Sequence, residues 1–574
     1  MHLHAGTVII RVALVSLVIC GSVGLIHGVR AEPAVQDGDD VGERSVAKAA
    51  KAMVAGSNRY STEAALDVLH QGGNAVDAAI AAALVAMVVE PNMVAFGGFG
   101  SLITYDASTH QTRVVTYWMQ YPDAFHPDLE GGPGAYVIAP GTPRGLAYVS
   151  KKYGKLPMKT VARHAIDLAH NGFPIYGALY GQMFERSPFL TTTEEGRVQW
   201  TPGGFLPEPG SNFRQEALGR TLEQYVNSGP DYIYSGPFAH KLVDMVRKYG
   251  GKLSLKDLAD YQPLDVEAGR STYRGLEVRS TWPPDSGGLG LALGLNILEK
   301  LDLRRTGKYT ESVESAYDIY STLQAVQNLT RYVRDPGVYK VPSQLLLSKE
   351  FAAHQAQQIR YQAELAEQSQ KLHSTPATSS PIAAIPGPPE ELSTGTVHIS
   401  VIDEHGNACG ITTSIAGDTF GQSGIVVDGV LINGSGHFQG TSQDHRWSSA
   451  AAPTIIFKDG QPNIVIGSPS DIYSTMLQVI PNMVDFGMDP QAAVSAPRMY
   501  ARRAQFTDTK AQYLLETRFK PEILTGLKAL GASVEFRDNY ANTAGAARIV
   551  ERDPKTGELR GGADPRRPGL AKGY

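Results

Sequence analysis

The residues with the clearest chemical potential lie where Leu392-Ser393-Thr394-Gly395 gives way to Thr396-Val397-His398-Ile399-Ser400-Val401-Ile402-Asp403. Thr396 places a hydroxyl at the start of an alternating, strand-like run, directly after a glycine. That hydroxyl can attack the Gly395 carbonyl, and hydrolysis of the resulting ester frees an α-amine whose pKa lies near 8 in model peptides. The amine then acts as general base for its own side chain. We therefore predict cleavage between Gly395 and Thr396, with Thr396 as the nucleophile; the alternative is an ordinary strand start.

A second hydroxyl is expected opposite Thr396. The turn Glu404-His405-Gly406-Asn407 joins the first strand to a second alternating run, Ala408 to Ile415, which predicts a hairpin. If Asp403 pairs with Ala408, Thr396 faces Ile415 and neighbours Ser414, to within one residue of register. Ser414 is thus predicted to hydrogen-bond Thr396 and to orient its amine or its hydroxyl.

Two other reactive residue types on this hairpin are interpreted as structural. His398 is a candidate base, but the freed amine already supplies that role, so we assign His398 to the support of the strand. Cys20 lies in the N-terminal segment, and Cys409 is the only other cysteine, so a mature monomer has no internal disulfide. Cys409 sits in a strand pattern and is interpreted as a small buried hydrophobe rather than a reactive thiol.

The elements before this hairpin are mostly helical. Ser61 to Gln71 has helical spacing, with Ser61 as the expected cap and Gly72-Gly73 as the stop. Val76 to Val89 is a second helix; its part from Ala78 on is apolar all round and too short for a bilayer, which favours a core helix. Strands are expected at 101–105 and 113–117, followed by helices to about Phe351.

The segment from about Ala353 to Gly395 is rich in Gln, Ala, Ser and Pro. Such a composition buries too little apolar surface to order itself, which predicts a mobile linker. A simple interdomain linker would look the same. Because this one ends directly before Thr396, we interpret it as a processing loop.

The N-terminus has the pattern of an export signal. Arg11 precedes the apolar run Val12 to Ile26. Val29 and Ala31 supply the small residues expected at positions −3 and −1 of a signal-peptidase cut after Ala31. The alternative is a retained membrane anchor, but the run has about 15 residues, against roughly 18 needed to span a bilayer. We therefore predict residues 1–31 as a signal peptide and a secreted or periplasmic protein.

Composition excludes several function classes. The 574 residues are 42% hydrophobic and 19% charged, with a formal net charge of −5, so a large core is expected and a nucleic-acid partner is not. The chain has no G-x-S-x-G elbow, no phosphate-binding G-x-x-x-x-G-K-[ST] loop, no H-E-x-x-H and no cysteine cluster. These absences argue against a serine α/β-hydrolase, an NTPase and a zinc enzyme, and we expect no metal and no cofactor.

From about Ala49 to the C-terminus the chain resembles the γ-glutamyltranspeptidase family, a branch of the N-terminal nucleophile hydrolases. The resemblance rests on six stretches in the same order, which are Ser61-Thr62-Glu63-Ala64 to Gln71-Gly72-Gly73-Asn74-Ala75-Val76-Asp77-Ala78-Ala79, Phe96-Gly97-Gly98-Phe99-Gly100, Tyr273-Arg274-Gly275, Pro283-Pro284-Asp285-Ser286-Gly287-Gly288, the Thr396 strand and Ala563-Asp564-Pro565-Arg566. The resemblance implies an α+β protein with a four-layer αββα core. The sequence alone shows mostly helical patterns before Thr396 and strand patterns after it.

The resemblance also implies the reaction and its partners. A large subunit, 32–395, and a small subunit, 396–574, would form a heterodimer of the chain's own two fragments. Its substrate would be a small-molecule γ-glutamyl or related amide, cleaved through an acyl-enzyme on Thr396. Water or an amine would then accept the acyl group.

The family's oxyanion hole is formed by backbone amides of a glycine pair in a tight turn. The matching turn here is Gly467-Ser468-Pro469-Ser470-Asp471, so Ser470 and Asp471 stand at the positions of the pair. A carboxylate aimed into the hole would oppose catalysis. We therefore expect Asp471 to point outward and to cap the helix suggested by Ile472 to Ile480.

The expected acyl pocket departs from the family pattern. Trp118 stands where relatives place the arginine that holds a substrate carboxylate. Ser435 lies in the stretch Leu431 to Phe438, which lacks the family's acidic residue, and Ser449 is followed by Ala450 where the family has two serines. Trp118, Ser435 and Ser449 remain the candidate substrate contacts. Two alternatives stay open: an acylase for a non-glutamyl amide, suited to Trp118, and a catalytically weak exported binding protein that is never cut.

Overall fold

Two antiparallel sheets of seven strands each form the centre of the fold. The computed structural model describes residues 44–124, 131–372, 395–415, 419–434, 445–501 and 512–574. The first sheet carries Thr396 in its third strand, and its strands in spatial order are Leu570–Gly573, Met53–Gly56, Thr396–Ile402, Ala408–Ser414, Phe99–Asp106, Gln111–Thr116 and Leu264–Glu267. The hairpin and the strands expected near 101–105 and 113–117 are thereby confirmed.

The second sheet packs against the first. Its strands in spatial order are Ala47–Ala49, Leu559–Ala563, Arg548–Arg552, Gln461–Gly467, Thr454–Lys458, Leu276–Ser280 and Gly269–Tyr273. A small apolar layer fills the space between the sheets, with Ile103 and Ile402 on one side and Val465 and Val550 on the other. Short outer strands complete the described β-structure at Phe173–Pro174, Asn212–Phe213, Val426–Val427, Val430–Leu431, Met499–Ala501, Tyr513–Glu516 and Val534–Arg537.

Helices cover the outer face of each sheet. Those in the N-terminal part, packed in the core of the first sheet or near it, are Arg59–His70, Ala75–Val89, Thr142–Tyr153, Met158–Val161, Arg163–Asn171, Gly177–Glu185, Ser187–Leu190, Glu194–Trp200, Glu216–Ser228, Asp231–Tyr234, Pro237–Lys248 and Leu255–Asp260. Those associated with the second sheet are Gly287–Leu301, Leu303–Thr306, Val313–Thr330, Ser343–Leu347, Lys349–Leu372, Ile472–Val484, Pro490–Ser495 and Pro521–Ala529. The expected α+β class and αββα layering are confirmed.

The second helix is the central support of the first sheet. All residues of Ala75–Val89 are buried, which confirms the predicted core helix. In the first helix, Arg59–His70, the expected cap is wrong: Asn58 is the N-cap and accepts from the Ser61 N–H, while Ser61 lies two residues inside the first turn and closes the capping box. Among the residues described, no helix is long and apolar enough to cross a membrane.

The linker expected from about 353 to 395 is wrong over its first part. Lys349–Leu372 is a helix. Its residues Ala352, Ala356 and Ile359 are buried in the same apolar core as the helix Gly287–Leu301. This stripe at a spacing of three and four residues supplies the tertiary burial that the polar composition conceals. The rest of the expected linker before Gly395, and the expected signal peptide 1–31, lie outside the described residues.

The buried ring of His398, in the first sheet, packs against Gly467 of the second sheet and leaves no space for a side chain at that position. A Cβ on Gly467 would lie 2.3 Å from Cε1 and 2.4 Å from Nδ1 of the buried His398 ring, whereas a Cβ on Gly410 would lie 3.4 Å from that ring. A rigid ring held on both sides cannot move away without disturbing its hydrogen bonds.

We therefore expect Gly467→Ala to lower the free energy of unfolding by about 2 kcal/mol, through overpacking. Gly410→Ala, against the same ring but with ordinary contact distances, should change it by less than about 1 kcal/mol. Denaturant unfolding of both variants measures the difference. Equal effects of the two substitutions would contradict the assigned packing of His398.

Candidate active site

Thr396 begins its strand with its hydroxyl against the preceding carbonyl. Its Oγ1 lies 2.6 Å from the Gly395 carbonyl oxygen and 3.0 Å from Ser414 Oγ. Ser414 Oγ donates to the same carbonyl at 2.5 Å. Thr396 is partly exposed, while Gly395 and Ser414 are buried. The structure thus brings together Gly395 and Thr396, the predicted cleavage site, and Ser414, the predicted hydrogen-bond partner of Thr396.

The strand register explains this arrangement. Thr396 pairs with Ser414 and Ile402 with Ala408, one residue away from the expected pairing of Asp403 with Ala408. The shift is physical: the Asp403 carboxylate accepts the N–H groups of His405 and Asn407 and of Ala75, so Asp403 belongs to the turn rather than to the ladder. As a result, Ser414 faces Thr396 directly.

His398 has no free nitrogen for catalysis. Its Nδ1 lies 2.8 Å from Thr412 Oγ1 and its Nε2 lies 3.0 Å from Ser400 Oγ. Burial, helped by the charge of Arg548, lowers the pKa of His398 to about 3, so the ring stays neutral. Cys409 is also buried, and burial raises the pKa of its thiol. Both residues are structural, as expected.

Arg567 connects Thr396 to the turn that contains Ser470, and the sequence did not identify it. Its guanidinium donates to the Thr396 carbonyl at 3.3 Å, to Ser470 Oγ at 2.6 Å and to the Asn542 carbonyl at 3.0 Å. A single planar group with several donors can span three segments in this way. The available signal was its position directly after the Ala563-Asp564-Pro565-Arg566 ending.

The neighbouring Arg566 is held by carboxylates instead. It forms ion pairs with Glu516 at 2.7 Å and Asp564 at 3.0 Å, and Asp564 also pairs with Arg498 at 2.7 Å. All four residues are buried. Although burial opposes it, the two guanidinium groups hold the pKa of Asp564 at about 2. The resulting network fixes the chain on either side of Pro565 and so sets the position of Arg567.

The turn Gly467–Asp471 lies beside Thr396, as the sequence predicts. Ser470 is buried and adopts a left-handed backbone conformation with φ of 51°, a geometry that favours glycine. Asp471 has φ of 14° and ψ of 58°, outside the extended region of an N-cap residue, and its side chain makes no capping bond. Its carboxylate accepts the Ala501 N–H at 2.7 Å. The expected helix cap is therefore wrong, and the Asp471 side chain stabilises the strand Met499–Ala501.

A cavity of about 150 Å³ lies beside Thr396. Its polar lining includes Thr396, Ser57, Glu90 and Arg567. Glu90 is buried and accepts hydrogen bonds from Ser57 and Asn58, each at 2.5 Å. Burial raises the pKa of Glu90, and these two donors oppose the shift. The cavity therefore offers polar groups of both hydrogen-bonding types beside the Thr396 hydroxyl.

Trp118 lies in an aromatic cluster beside the strand Ala408–Ser414, which pairs with the Thr396 strand. Its ring stacks on Phe99 with centroids 6.3 Å apart and meets Trp447 edge-on at 5.9 Å. Phe99 pairs with Ser414, which itself faces Thr396. The position that the resemblance gives to a carboxylate-binding arginine thus lies among aromatic rings here.

Of the two serines predicted to contact substrate, the structure describes Ser449 but not Ser435. Ser449 is buried, and its hydroxyl accepts the Ala451 N–H at 3.0 Å. The Ser449 carbonyl accepts the N–H groups of Ser286 and Gly287 at 2.7 and 3.2 Å. Ser449 therefore fixes the start of the helix Gly287–Leu301, close to the aromatic cluster. Ser435 lies outside the described residues, and its assignment stays a prediction.

Asp285 is a second residue that sequence reading passed over, although it stands inside the Pro283 to Gly288 stretch. It is fully buried, and neither carboxylate oxygen has a hydrogen-bond partner among the described residues. Burial raises the pKa of Asp285 to about 8. The Thr116 hydroxyl and the Ser449 N–H lie near the carboxyl group without reaching hydrogen-bond geometry, and together with the charge of Arg446 they oppose the shift. An unpaired carboxyl group of this kind is unusual inside a protein.

Comparison with known proteins identifies the family. The model for gamma-glutamyltranspeptidase matches residues 61–574. The chain belongs to the γ-glutamyltranspeptidase family. It is 30% identical over 555 residues to the glutathione hydrolase proenzyme of Escherichia coli strain K12, covering 90% of this chain and 91% of that protein. It is also 27% identical over 488 residues to the acylase ACY 1 proenzyme of Pseudomonas sp. strain V22, covering 80% and 84%.

Solved structures agree with this membership of the γ-glutamyltranspeptidase family. The cephalosporin acylase from Bacillus halodurans superposes with a TM-score of 0.78 at 24% identity, covering 96% of this chain and 99% of that one, and supports the fold. The Helicobacter pylori gamma-glutamyltranspeptidase matches with a TM-score of 0.50 at 26% identity, covering 57% and 92%. The chain is accordingly an N-terminal nucleophile hydrolase by fold and a hydrolase or transferase by family.

In this member of the γ-glutamyltranspeptidase family, we expect Arg567→Lys to slow the predicted cleavage before Thr396 by about tenfold or more, because one ammonium group cannot replace the three directed hydrogen bonds of the guanidinium. Gel densitometry after synthesis of the uncut chain measures the rate. Arg560→Lys, the same change at an arginine that pairs with Glu551 and Asp553 away from Thr396, is the control. Equal rates for the two variants would contradict a bridging role for Arg567.

The raised pKa of Asp285 predicts a pH-dependent stability. Between about pH 4 and pH 8 the folded chain holds a proton that the unfolded chain has lost, so stability falls as pH rises through this window. Asp285→Asn carries no such proton. The unfolding free energy of Asp285→Asn, relative to that of the native chain, should therefore grow by roughly 3–4 kcal/mol from pH 5 to pH 8. Asp553→Asn, at an exposed carboxylate with a lowered pKa, should show no such growth; parallel curves for Asp285→Asn would refute the assignment.

Proposed function

We propose that this protein is a self-processing amidohydrolase whose nucleophile is Thr396, released by cleavage of the Gly395–Thr396 bond. The observation that carries the proposal is the placement of Thr396 Oγ1, 2.6 Å from the Gly395 carbonyl oxygen and 3.0 Å from Ser414 Oγ. Family membership and the proenzyme relatives support it.

The hydroxyl pair supports a specific proton arrangement. If Thr396 donates to Ser414 Oγ, Ser414 is left to donate to the Gly395 carbonyl, so each proton is used once and Thr396 keeps its lone pairs for attack. As Oγ1 bonds to the carbonyl carbon, its proton passes to Ser414 Oγ, and Ser414 gives its own proton to the former Gly395 carbonyl oxygen, which gives a neutral tetrahedral intermediate. That proton then passes to the amide nitrogen of Thr396 as the C–N bond breaks and the carbonyl re-forms, leaving an ester on Thr396 and a free amine.

Water completes maturation by hydrolysing that ester. It adds to the Gly395 carbonyl carbon, the carboxylate of Gly395 leaves, and the Thr396 hydroxyl is restored. The large subunit 32–395 and the small subunit 396–574 remain together because their strands share one sheet. In the first sheet, Met53–Gly56 and Phe99–Asp106 from the large subunit pair with strands of the small subunit.

The mature site then acts on an external amide. The Thr396 amine takes the proton of its own hydroxyl, which attacks the substrate carbonyl and forms an acyl-enzyme. Backbone N–H groups of the turn at Ser470 and Asp471 are proposed to bind the oxyanion, a role compatible with an Asp471 carboxylate directed to Ala501. Water or an amine accepts the acyl group, giving hydrolysis or transfer.

The proposed substrate is a small molecule with a γ-glutamyl or related amide bond. A second candidate, an acylase for a non-glutamyl amide, is favoured by the aromatic surroundings of Trp118. We further propose export to the periplasm or the medium, which rests on the charged and apolar pattern of residues 1–31.

The test of this function is the covalent state of the purified chain. We expect two fragments under denaturing conditions, with N-terminal sequencing of the smaller one reading Thr-Val-His-Ile. Thr396→Ala should stay intact because it lacks a nucleophile, and Thr396→Ser should cleave more slowly but still cleave. Thr413→Ser, the same change in the facing strand, should cleave as the native chain does. A folded native chain that stays intact would refute the mechanism and favour the binding-protein alternative.

A further inference from the structure

Four buried polar groups without partners lie around the aromatic cluster. Among the described residues, both carboxylate oxygens of Asp285, the Thr116 hydroxyl, the Trp118 indole N–H and the Ser448 hydroxyl make no hydrogen bond. Buried polar groups are almost always satisfied in folded proteins, and each exception has a cost. Several exceptions at one place indicate a site that a ligand completes.

The four groups lie on neighbouring segments. Thr116 faces Asp285, and Trp118 follows two residues later. Asp285 also acts on Tyr261, whose hydroxyl donates to the Trp118 carbonyl at 3.0 Å. Ser448 precedes Ser449, whose N–H faces the Asp285 carboxyl group. The carboxyl, hydroxyl and indole groups therefore belong to one region.

This region adjoins the reacting residues. Phe99, which stacks on Trp118, pairs with Ser414 across from Thr396. Ile472, the residue after Asp471 in the turn, packs in the same cluster as Trp118. The cluster thus adjoins Ser414 on one side and the residue after the proposed oxyanion turn on the other.

The chemistry of the region suits a cation. A buried carboxylate needs a positive partner, and Arg446 does not provide one at contact distance: its Nη2 donates to Gln120 and to the Gln262 carbonyl, at 3.2 and 2.7 Å. Aromatic rings such as Trp118 and Trp447 attract an ammonium through their faces. A substrate carboxylate would be disfavoured here, because Asp285 and the Trp118 indole occupy the region where the resemblance expects an arginine.

We propose that Asp285 binds a primary ammonium group carried by the acyl part of the substrate, with Trp118 beside it. This inference rests on the proposed function, and it names the substrate class: amides of amino-substituted acyl groups that need no carboxylate. A γ-glutamyl group has both an ammonium and a carboxylate, so it would satisfy only half of this preference.

Four anilides separate the two charges. The γ-glutamyl compound has both groups, 4-aminobutanoyl has only the ammonium, glutaryl has only the carboxylate, and butanoyl has neither. At pH 8 we expect kcat/KM for 4-aminobutanoyl to exceed that for butanoyl by about tenfold or more, from a charge-assisted bond, and glutaryl to be the poorest of the four. A glutaryl rate equal to or above the 4-aminobutanoyl rate would overturn the proposal.

Variants assign the preference to Asp285. In Asp285→Asn the ratio of 4-aminobutanoyl to butanoyl should fall to about one, and Asp285→Glu should restore part of it. Asp318→Asn is the matched control, because Asp318 is another buried carboxylate with a pKa raised to about 7 by burial, paired with Arg360 on a helix of the outer layer. It should leave the ratio unchanged. An unchanged ratio in Asp285→Asn would show that Asp285 has only a structural role.

Proton linkage gives a readout that needs no variant. Ammonium binding requires an ionised Asp285, so apparent affinity for 4-aminobutanoate should rise toward pH 8, by up to about tenfold per pH unit, with release of a proton. Arg446, Tyr261 and Tyr473 are the titratable groups that act on Asp285. Calorimetry on the native protein measures this, with butanoate as the comparison. No preference for 4-aminobutanoate at any pH would overturn the proposal.

Failure of this inference is distinguishable from failure of the proposed function. An intact chain with no turnover of any anilide contradicts the function. A cleaved chain that turns over amides without favouring the ammonium contradicts only the role of Asp285. If cleavage occurs without turnover of these four compounds, the calorimetric comparison alone decides the inference.

Discussion

The pairing of Thr396 with Ser414 is the constraint on which the site depends. The facing strand Ala408–Ser414 covers all seven residues of Thr396–Ile402, but on the other side Met53–Gly56 pairs only with Ser400, Val401 and Ile402. Among the described residues, no strand pairs with that edge near Thr396, because the chain leaves the sheet after Gly56 to start the helix capped by Asn58. The cavity and Arg567 lie beside Thr396 at this edge.

The C-terminal segment places Arg567 at this edge, where its guanidinium donates a hydrogen bond to the Thr396 carbonyl. A buried guanidinium is costly unless its donors are satisfied. Arg498 and Arg566 pair with carboxylates, and Arg548 donates to the carbonyl groups of Gly56 and Ala546. This network holds Asp564 to Arg567 rigidly between the two sheets. Arg567 can then contact both the Thr396 carbonyl and the Ser470 hydroxyl, so one side chain supports both segments.

The sequence predicted the features that rest on local pattern. Alternation predicted the hairpin, and apolar periodicity predicted the helix Ala75–Val89. It was wrong where long-range contacts decide: the helix Lys349–Leu372 is stabilised by burial of Ala352 and Ile359, which its polar composition conceals. Local chemistry also misplaced a cap, since Asp471 bonds Ala501 across the fold instead of its own helix.

The residues missed are those whose importance comes only from their neighbours. Arg567 and Asp285 stand inside conspicuous stretches, yet nothing in the sequence shows that one bridges three segments and that the other is buried without a partner. The sequence alone does not distinguish a buried, unpaired carboxyl group from an exposed one. Such roles require the tertiary structure because they depend on distances between segments far apart in the chain.

The central claim is that a free N-terminal Thr396 is the group that becomes acylated. Mass spectrometric peptide mapping after reaction with an electrophilic β-lactone, which traps nucleophiles as stable esters, tests it most directly. The account predicts one added mass on the peptide that begins at Thr396 in cleaved protein. It predicts no added mass in uncut protein, in which Thr396 is still bonded to Gly395. An adduct on a different residue, or on Thr396 within an uncut chain, would contradict it.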